Sequence, residues 1–101
     1  MQNQDYVITN NEEILQFEIS LESEIAFLTY RFYKKNIAFM HTTVPERLAG
    51  RGLASALAVY AFAYARAQKK LVMVFCPFVS KFIKKNKQFL SQLDPAYSGR
   101  Q

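Results

Sequence analysis

Residues 41–55 read His-Thr-Thr-Val-Pro-Glu-Arg-Leu-Ala-Gly-Arg-Gly-Leu-Ala-Ser. The pattern predicts a strand through Val44, a turn at Pro45, a loop with two closely spaced glycines, and a long helix that begins at about Arg51. Glycine lets a backbone approach a ligand closely, and the first amides of a helix lack internal partners and lie at the positive end of its dipole. This order of elements predicts a phosphate or pyrophosphate site, to which Arg47 and Arg51 would add positive charge.

Four strands are predicted upstream of this helix. Residues 15–21 alternate apolar and polar side chains, residues 25–33 form the next strand, and residues 37–44 lead into the loop. A short strand at residues 6–9 would precede them, with Asn10-Asn11 as its turn. The short connections predict an antiparallel meander. We expect one face of the third strand to carry Ala26, Leu28, Tyr30 and Phe32.

Two helices and a further strand complete the predicted order, β-β-β-β-α-β-α. The helix over about residues 51–68 is rich in alanine and apolar nearly all the way round, so we expect it to be buried on most sides. Its aromatic residues cannot all face one sheet, so either the strands curl around the helix or a partner covers the rest. The apolar run 71–76 predicts a buried strand parallel to the strand before the helix. Pro77 then opens a second helix that ends near Asn86.

Length and composition limit which fold classes and which binding partners are possible. The 101 residues predict one domain over residues 1–101, with an ordered core at about 6–90 and a poorly ordered tail at 91–101. Half of the residues are hydrophobic and 15% are aromatic, which argues against disorder and predicts a ligand groove or a self-associating surface, such as a homodimer. The net charge is +5, but no base-stacking or recognition-helix pattern accompanies the lysines, so nucleic acid is not an expected partner.

Single cysteine and histidine residues limit the chemistry. With Cys76 alone no intrachain disulfide can form, and with His41 alone a zinc site would lack ligands, so no metal is expected. The polar opening residues predict no signal peptide. The longest apolar stretch, residues 53–65, is too short to cross a bilayer. We therefore expect a cytoplasmic protein without a membrane partner.

Three motifs resemble a known family. Arg47-Leu48-Ala49-Gly50-Arg51-Gly52 resembles the Gln/Arg-x-x-Gly-x-Gly/Ala signature of the GNAT superfamily of acetyl-CoA-dependent N-acetyltransferases. His-Thr-x-Val-Pro at 41–45 and Cys-Pro-Phe-Val at 76–79 are similar to a subfamily of very small, single-domain GNAT-like proteins. The resemblance implies an α+β fold, a minimal GNAT-like acyl-CoA N-acyltransferase fold. It would have a mostly antiparallel mixed sheet of about five strands and two helices.

The resemblance also implies a binding mode for acetyl-CoA, in a gap where two parallel strands splay apart. The backbone of residues 42–44 would bind the pantetheine arm, and the amides of residues 48–54 would bind the pyrophosphate. Lys81 and Lys85 either meet the 3′-phosphate or form a solvated helix face, and Ser55 either touches a phosphate or caps the helix. The predicted cofactor-binding residues are Thr42, Thr43, Val44, Arg47, Leu48, Ala49, Gly50, Arg51, Gly52, Leu53, Ala54, Ser55, Cys76, Phe78, Lys81 and Lys85.

Two residues are candidates for catalysis. His41 is the side chain most suited to accept a proton near neutral pH, although it could instead be a structural histidine. Cys76 precedes a helix N-terminus, whose dipole would favour a thiolate. It could accept the acetyl group, donate a proton, or pack as an inert small hydrophobe.

The chain departs from the subfamily at positions that would handle protons. Relatives usually carry Glu where this chain has Thr43, Tyr where it has Phe82, and a His-Pro-Glu-Tyr-like run where it reads Asn86-Lys87-Gln88-Phe89. The leading hypothesis is an N-acetyltransferase that acts on an amine, either a small molecule or a protein. The alternatives are an acyl-CoA-binding module with little or no turnover and a small basic adaptor for a protein or nucleic acid.

Overall fold

The computed structural model describes residues 6–95. Its five strands form one sheet in which spatial order equals chain order: β1 (Ile8–Asn11), β2 (Gln16–Leu21), β3 (Glu24–Tyr33), β4 (Asn36–Thr43) and β5 (Val72–Val74). The first four strands are an antiparallel meander, and β5 pairs in parallel with β4. The chain crosses from β4 to β5 through α1 (Leu53–Ala67), and α2 (Pro77–Lys85) follows β5. The predicted α+β class and element order are confirmed.

Two short 3₁₀ helices complete the chain. The first, Glu46–Leu48, lies in the loop between β4 and α1, and the second, Lys87–Gln92, follows α2. Beyond it, Leu93 is buried, and the amide of Asp94 donates to the carbonyl of Val72 at 3.0 Å. The described chain therefore packs against the sheet as far as Asp94, past residue 90, where the sequence predicts that the poorly ordered tail begins. Residues 96–101 of that predicted tail lie outside the described residues.

The first strand and its turn differ from the prediction. β1 covers residues 8–11 rather than 6–9, and Asn10 and Asn11 pair with β2 instead of forming the turn, which falls at residues 12–15. Side-chain hydrogen bonds explain why the asparagines lie in an edge strand. Asn10 Oδ1 accepts from the Tyr30 hydroxyl at 2.6 Å, and Asn11 Nδ2 donates to Glu18 at 2.9 Å.

The helices cover only one face of the sheet. Phe17 of β2 contacts the rings of Tyr60 and Tyr64 on α1, each with centroids 5.3 Å away, and Phe39 of β4 contacts Phe62 at 5.2 Å. Phe62 also stacks on Phe89 of the second 3₁₀ helix at 4.7 Å. The C-terminal segment of the same chain therefore covers part of α1 that the strands leave free, while Val59 remains 49% exposed.

The opposite face of the sheet, which we call the open face, explains one further correction. β5 is three residues long, and Leu71 and Phe75 at its ends are 41% and 49% exposed, so the apolar run is not fully buried. Phe32 pairs with Ile37 and so shares the helix-covered face with Tyr30, as predicted, but it is 45% exposed. Tyr30 contacts its ring, and Lys70 Nζ lies 5.2 Å above the ring. Within residues 6–95, no helix combines the length and apolarity needed to cross a membrane.

Candidate functional site

A gap opens where β4 and β5 stop pairing. Residues 37–39 of β4 pair with residues 72–74, and the Phe75 amide donates to the Phe39 carbonyl at 2.9 Å. β4 then continues to Thr43, while β5 has ended. Within the described chain, no strand pairs with residues 40–43 on the side of β5. The edge of β4 beyond Phe39 is therefore available to a ligand that can hydrogen-bond to backbone.

A β-bulge at this point decides which side chains face the gap. Thr29 pairs with His41 and Tyr30 pairs with Phe39, so Met40 is an extra residue in β4. In a regular strand, His41 would share the helix-covered face with Phe39. The bulge reverses the alternation, so that His41 lies on the open face and Thr42 on the helix-covered face.

Thr42 and Cys76 meet on the helix-covered side of the gap. The Thr42 hydroxyl oxygen and the Cys76 sulfur are 3.1 Å apart, and either group can be the donor. Cys76 is 1% exposed and lies immediately before α2, where its carbonyl accepts from the Ser80 amide at 3.0 Å. The thiol is therefore buried at the inner end of the gap with a hydroxyl as its neighbour.

His41 lies on the open face of the sheet. Its amide donates to the Thr29 hydroxyl oxygen at 3.2 Å, and its side chain is exposed. It lines a shallow depression of about 660 Å³ together with Glu13, Arg31 and Met40. The two predicted catalytic residues, His41 and Cys76, are therefore on opposite faces of the sheet.

The glycine loop provides a helix N-terminus with free amides. Gly50 and Gly52 have φ angles of +81° and +77°, in the left-handed region, and no side chain caps α1 in the described chain. Gly52 is the N-cap residue, and its carbonyl accepts from the Ala56 amide at 3.0 Å. The helix therefore begins at Leu53 rather than Arg51. Exposed Ser55, its third residue, does not cap it, contrary to the capping alternative.

The first 3₁₀ helix forms hydrogen bonds with two backbone amides that were predicted to bind pyrophosphate. The Leu48 amide donates to the Pro45 carbonyl at 2.9 Å, and the Ala49 amide donates to the Glu46 carbonyl at 3.1 Å. The Leu48 side chain is also fully buried. The turn therefore already uses the two amides that were predicted to bind pyrophosphate. The donors that suit an anion are those from Gly50 to Ser55, since the first amides of a helix have no internal partner.

Both predicted arginines are paired with glutamates that sequence reasoning missed. Arg51 makes two hydrogen bonds to Glu22, Nη1 to Oε2 at 2.9 Å and Nη2 to Oε1 at 3.2 Å. Arg47 Nη1 lies 3.5 Å from Glu24 Oε2. The hydrogen bonds from Arg51 and its charge lower the pKa of Glu22, and the same contact raises the pKa of Arg51.

The predicted topology already indicated that Glu22 lies near the glycine loop. In an antiparallel meander β2 and β4 run in the same direction, so their C-terminal ends lie at the same end of the sheet. The turn after β2, at Glu22 and Ser23, therefore had to lie near the loop that follows β4.

The remaining predicted residues lie at the end of β4 and on α2. Val44 is half-buried against the core, and Thr43 is exposed on the open face opposite Phe27. On α2, Lys81 and Lys85 are exposed, while Phe78 is half-buried. Phe82, 8% exposed, lies between Phe78 and Phe89, with ring centroids 6.1 Å and 5.4 Å away.

Comparisons with known proteins agree with this geometry. A family model described as GCN5-related N-acetyl-transferase matches residues 16–93. The chain is 32% identical over 85 residues to the protein NATD1 of Xenopus tropicalis, covering 79% of this chain and 78% of that protein. It is 34% identical to NATD1 of Bos taurus over 85 residues, covering 79% and 75%. The NMR solution structure of a GCN5-like protein from Staphylococcus aureus matches with a TM-score of 0.67 at 24% identity, over 93% and 91% of the two chains, which shows a shared fold.

Proposed function

Because the chain belongs to the GCN5-related N-acetyltransferase family, we propose that it binds acetyl-CoA between β4 and β5 and transfers the acetyl group to an amine. One observation carries the proposal: the pairing of β4 with β5 ends at Phe39, and the same strand then leads into the uncapped N-terminus of α1. The free edge of residues 40–43 suits the amide-bearing pantetheine arm. The amides from Gly50 to Ser55 suit the diphosphate, since a helix N-terminus favours anions.

The open face is the proposed route for the acceptor amine. The helices and the C-terminal segment pack on the other face, whereas the depression beside His41 borders the mouth of the gap at Met40. When bound, acetyl-CoA would supply the thioester carbonyl that the amine attacks. We propose that exposed His41 accepts the proton that the amine loses as its nitrogen attacks that carbonyl.

Cys76 is proposed to act from the opposite side, as the proton donor to the leaving thiolate. Its thiol is 1% exposed and lies 3.1 Å from the Thr42 hydroxyl, so an amine from solvent has no direct access to it. The proton donor role is therefore favoured over a covalent acetyl-cysteine, which the acceptor amine would have to reach. In the proposed step the nitrogen–carbon bond forms, the carbon–sulfur bond breaks, and the thiolate sulfur takes the proton from Cys76. His41 then releases its proton to solvent, and Cys76 regains a proton from water that enters the gap after coenzyme A has left.

Calorimetry and turnover measurements test the proposal. We expect acetyl-CoA to bind the wild-type protein, and an amine library to identify an acceptor that stimulates release of free coenzyme A. His41→Gln and Cys76→Ala should each lower turnover by about 100-fold or more, the usual range for removal of a general acid or base. Acetyl-CoA binding should be retained. Unchanged turnover in Cys76→Ala would exclude its role, and acetylated Cys76 in the intact mass spectrum would restore the covalent alternative.

A second candidate function, an acyl-CoA-binding module without turnover, is favoured by Phe82. Its ring packs among Phe78 and Phe89, so the position where relatives usually have a tyrosine offers no hydroxyl here. Binding of acetyl-CoA without turnover by any amine would support this candidate. The acceptor, a homodimer and a cytoplasmic location remain predictions.

A further inference from the structure

Two ion pairs join the β2–β3 turn to the loop that precedes α1. Arg51 forms a two-pronged contact with Glu22, at 2.9 Å and 3.2 Å, and Arg47 lies 3.5 Å from Glu24. All four residues lie at the end of the sheet where the diphosphate is proposed to bind. The carboxylates therefore occupy the guanidinium groups that would otherwise attract it.

The backbone on both sides of the Arg51–Glu22 pair is sharply defined. Glu22 and Ser23 have φ angles of +53° and +65°, as in the two-residue type I′ turns that join antiparallel strands. Arg51 lies between Gly50 and Gly52, which are also left-handed. Both residues of the pair are therefore held in short segments with left-handed residues.

The pair is nevertheless weak enough to break. The side chains of Arg51 and Glu22 are 42% and 46% exposed, and ion pairs in solvent contribute little net stability. A diphosphate at the N-terminus of α1 would carry more charge than one carboxylate and would lie beside the amides that flank Arg51. It would also repel Glu22. Each of these effects favours exchange of the carboxylate for the phosphate.

We propose that Glu22 is an exchangeable counter-ion for Arg51. When the ligand occupies the loop, the Arg51 guanidinium leaves the Glu22 carboxylate and binds the diphosphate. Glu22 then orients the guanidinium in the free protein and lowers the affinity for the ligand, because the contact must break on binding. This inference rests on the proposed function for the identity of the ligand. It adds a residue outside the family signature that sets how tightly the ligand is held.

A double-mutant cycle tests the exchange. We expect Glu22→Gln to tighten the binding of coenzyme A about two- to fivefold, the range that follows from the energies of exposed ion pairs. Arg51→Gln should weaken binding, and Glu22→Gln should give no gain in the Arg51→Gln background. Glu12→Gln, which makes the same change of charge in the turn at the other end of β2, is the matched control and should leave the affinity unchanged.

The opposite results would overturn the inference. If Glu22→Gln weakens the binding of coenzyme A, Glu22 holds Arg51 in place in the bound protein as well as in the free one. If Glu22→Gln still tightens binding in the Arg51→Gln background, the gain comes from the change in overall charge and not from release of Arg51. Glu22→Asp, which shortens the carboxylate arm, should also tighten binding and provides a second variant. Inorganic pyrophosphate serves as a second probe. If wild type binds it but not coenzyme A, the proposed function fails while the exchange is still measured; if wild type binds neither, both fail.

Discussion

Gly52 sets the backbone at the start of α1. Its φ of +77° lies in the left-handed region, yet an added Cβ would meet no atom within 4 Å. Gly52→Ala should therefore cost about 1–2 kcal/mol of folding free energy through backbone strain alone. Urea unfolding measures this loss. Gly52→Asn is the control and should cost less, because asparagine tolerates the left-handed region; equal stability of Gly52→Ala and wild type would contradict the described loop.

Tyr30 should make stability depend on pH in the alkaline range. Burial raises the pKa of its phenol, partly offset by the hydrogen bond to Asn10. A raised folded-state pKa contributes stability that is complete below the unfolded pKa of about 10 and is lost as the pH rises through the folded pKa. Tyr30→Phe should cost about 1 kcal/mol at neutral pH by removing that hydrogen bond.

Unfolding curves measured between neutral pH and pH about 11 provide the test, since tyrosine ionisation begins near the upper end of that range. The difference between wild type and Tyr30→Phe should shrink as the pH rises, because the variant has no phenol to ionise at this position. A difference that stays constant would show that Tyr30 does not ionise on unfolding.

The bulge at Met40 shows why single residues were harder to place than elements. Strict alternation from Phe39 would put His41 on the helix-covered face and Thr42 on the open face. The bulge exchanges them, so Thr42 contacts Cys76 and His41 faces the proposed acceptor route. A bulge depends on the pairing of β4 with β3, which β4's own residues do not encode.

Among the elements, α2 offers a test of how the 3′-phosphate is held. Its buried side carries Val79, Phe82 and Ile83, and its lysines are exposed. If Lys81 and Lys85 meet the 3′-phosphate, changing both to Gln should weaken binding of coenzyme A about three- to tenfold, through loss of charge-assisted contacts. Binding of 3′-dephospho-coenzyme A should change little.

The matched control for this pair is Lys84→Gln with Lys87→Gln, which removes the same charge. It should weaken binding of both ligands equally and slightly. If the two double variants behave alike, the lysines form a solvated helix face, the alternative that the sequence left open.

The elements themselves followed from local sequence. Alanine-rich α1, alternating β2 and Pro77 at the start of α2 were predicted because propensity, periodicity and proline act within a few residues. The ends of elements were less accurate. The apolar run 71–76 contains only three strand residues, because one face of the sheet is open and because β4 and β5 diverge.

At the scale of the whole molecule, the C-terminal segment closes the core. Gln92 donates to the Phe62 carbonyl at 2.9 Å, and Leu93 is 8% exposed beside Val72 of β5. Leu93→Ala should therefore destabilise the protein by about 2–4 kcal/mol, the usual cost of truncating a buried leucine. Leu90→Ala removes the same atoms at a 45% exposed position and should cost clearly less. Equal losses in urea unfolding would contradict the packing of this segment.

The sequence by itself determined the order of the strands and helices, the glycine loop and the family signature at residues 47–52. Each of these depends on side chains and backbone preferences within a short stretch of chain. The tertiary structure decided three other features: the faces of His41 and Thr42, the pairing of Arg51 with Glu22, and the closure of the core by residues 87–94. These features join residues that are far apart in the chain, so they depend on strand pairing and packing that only the folded chain establishes.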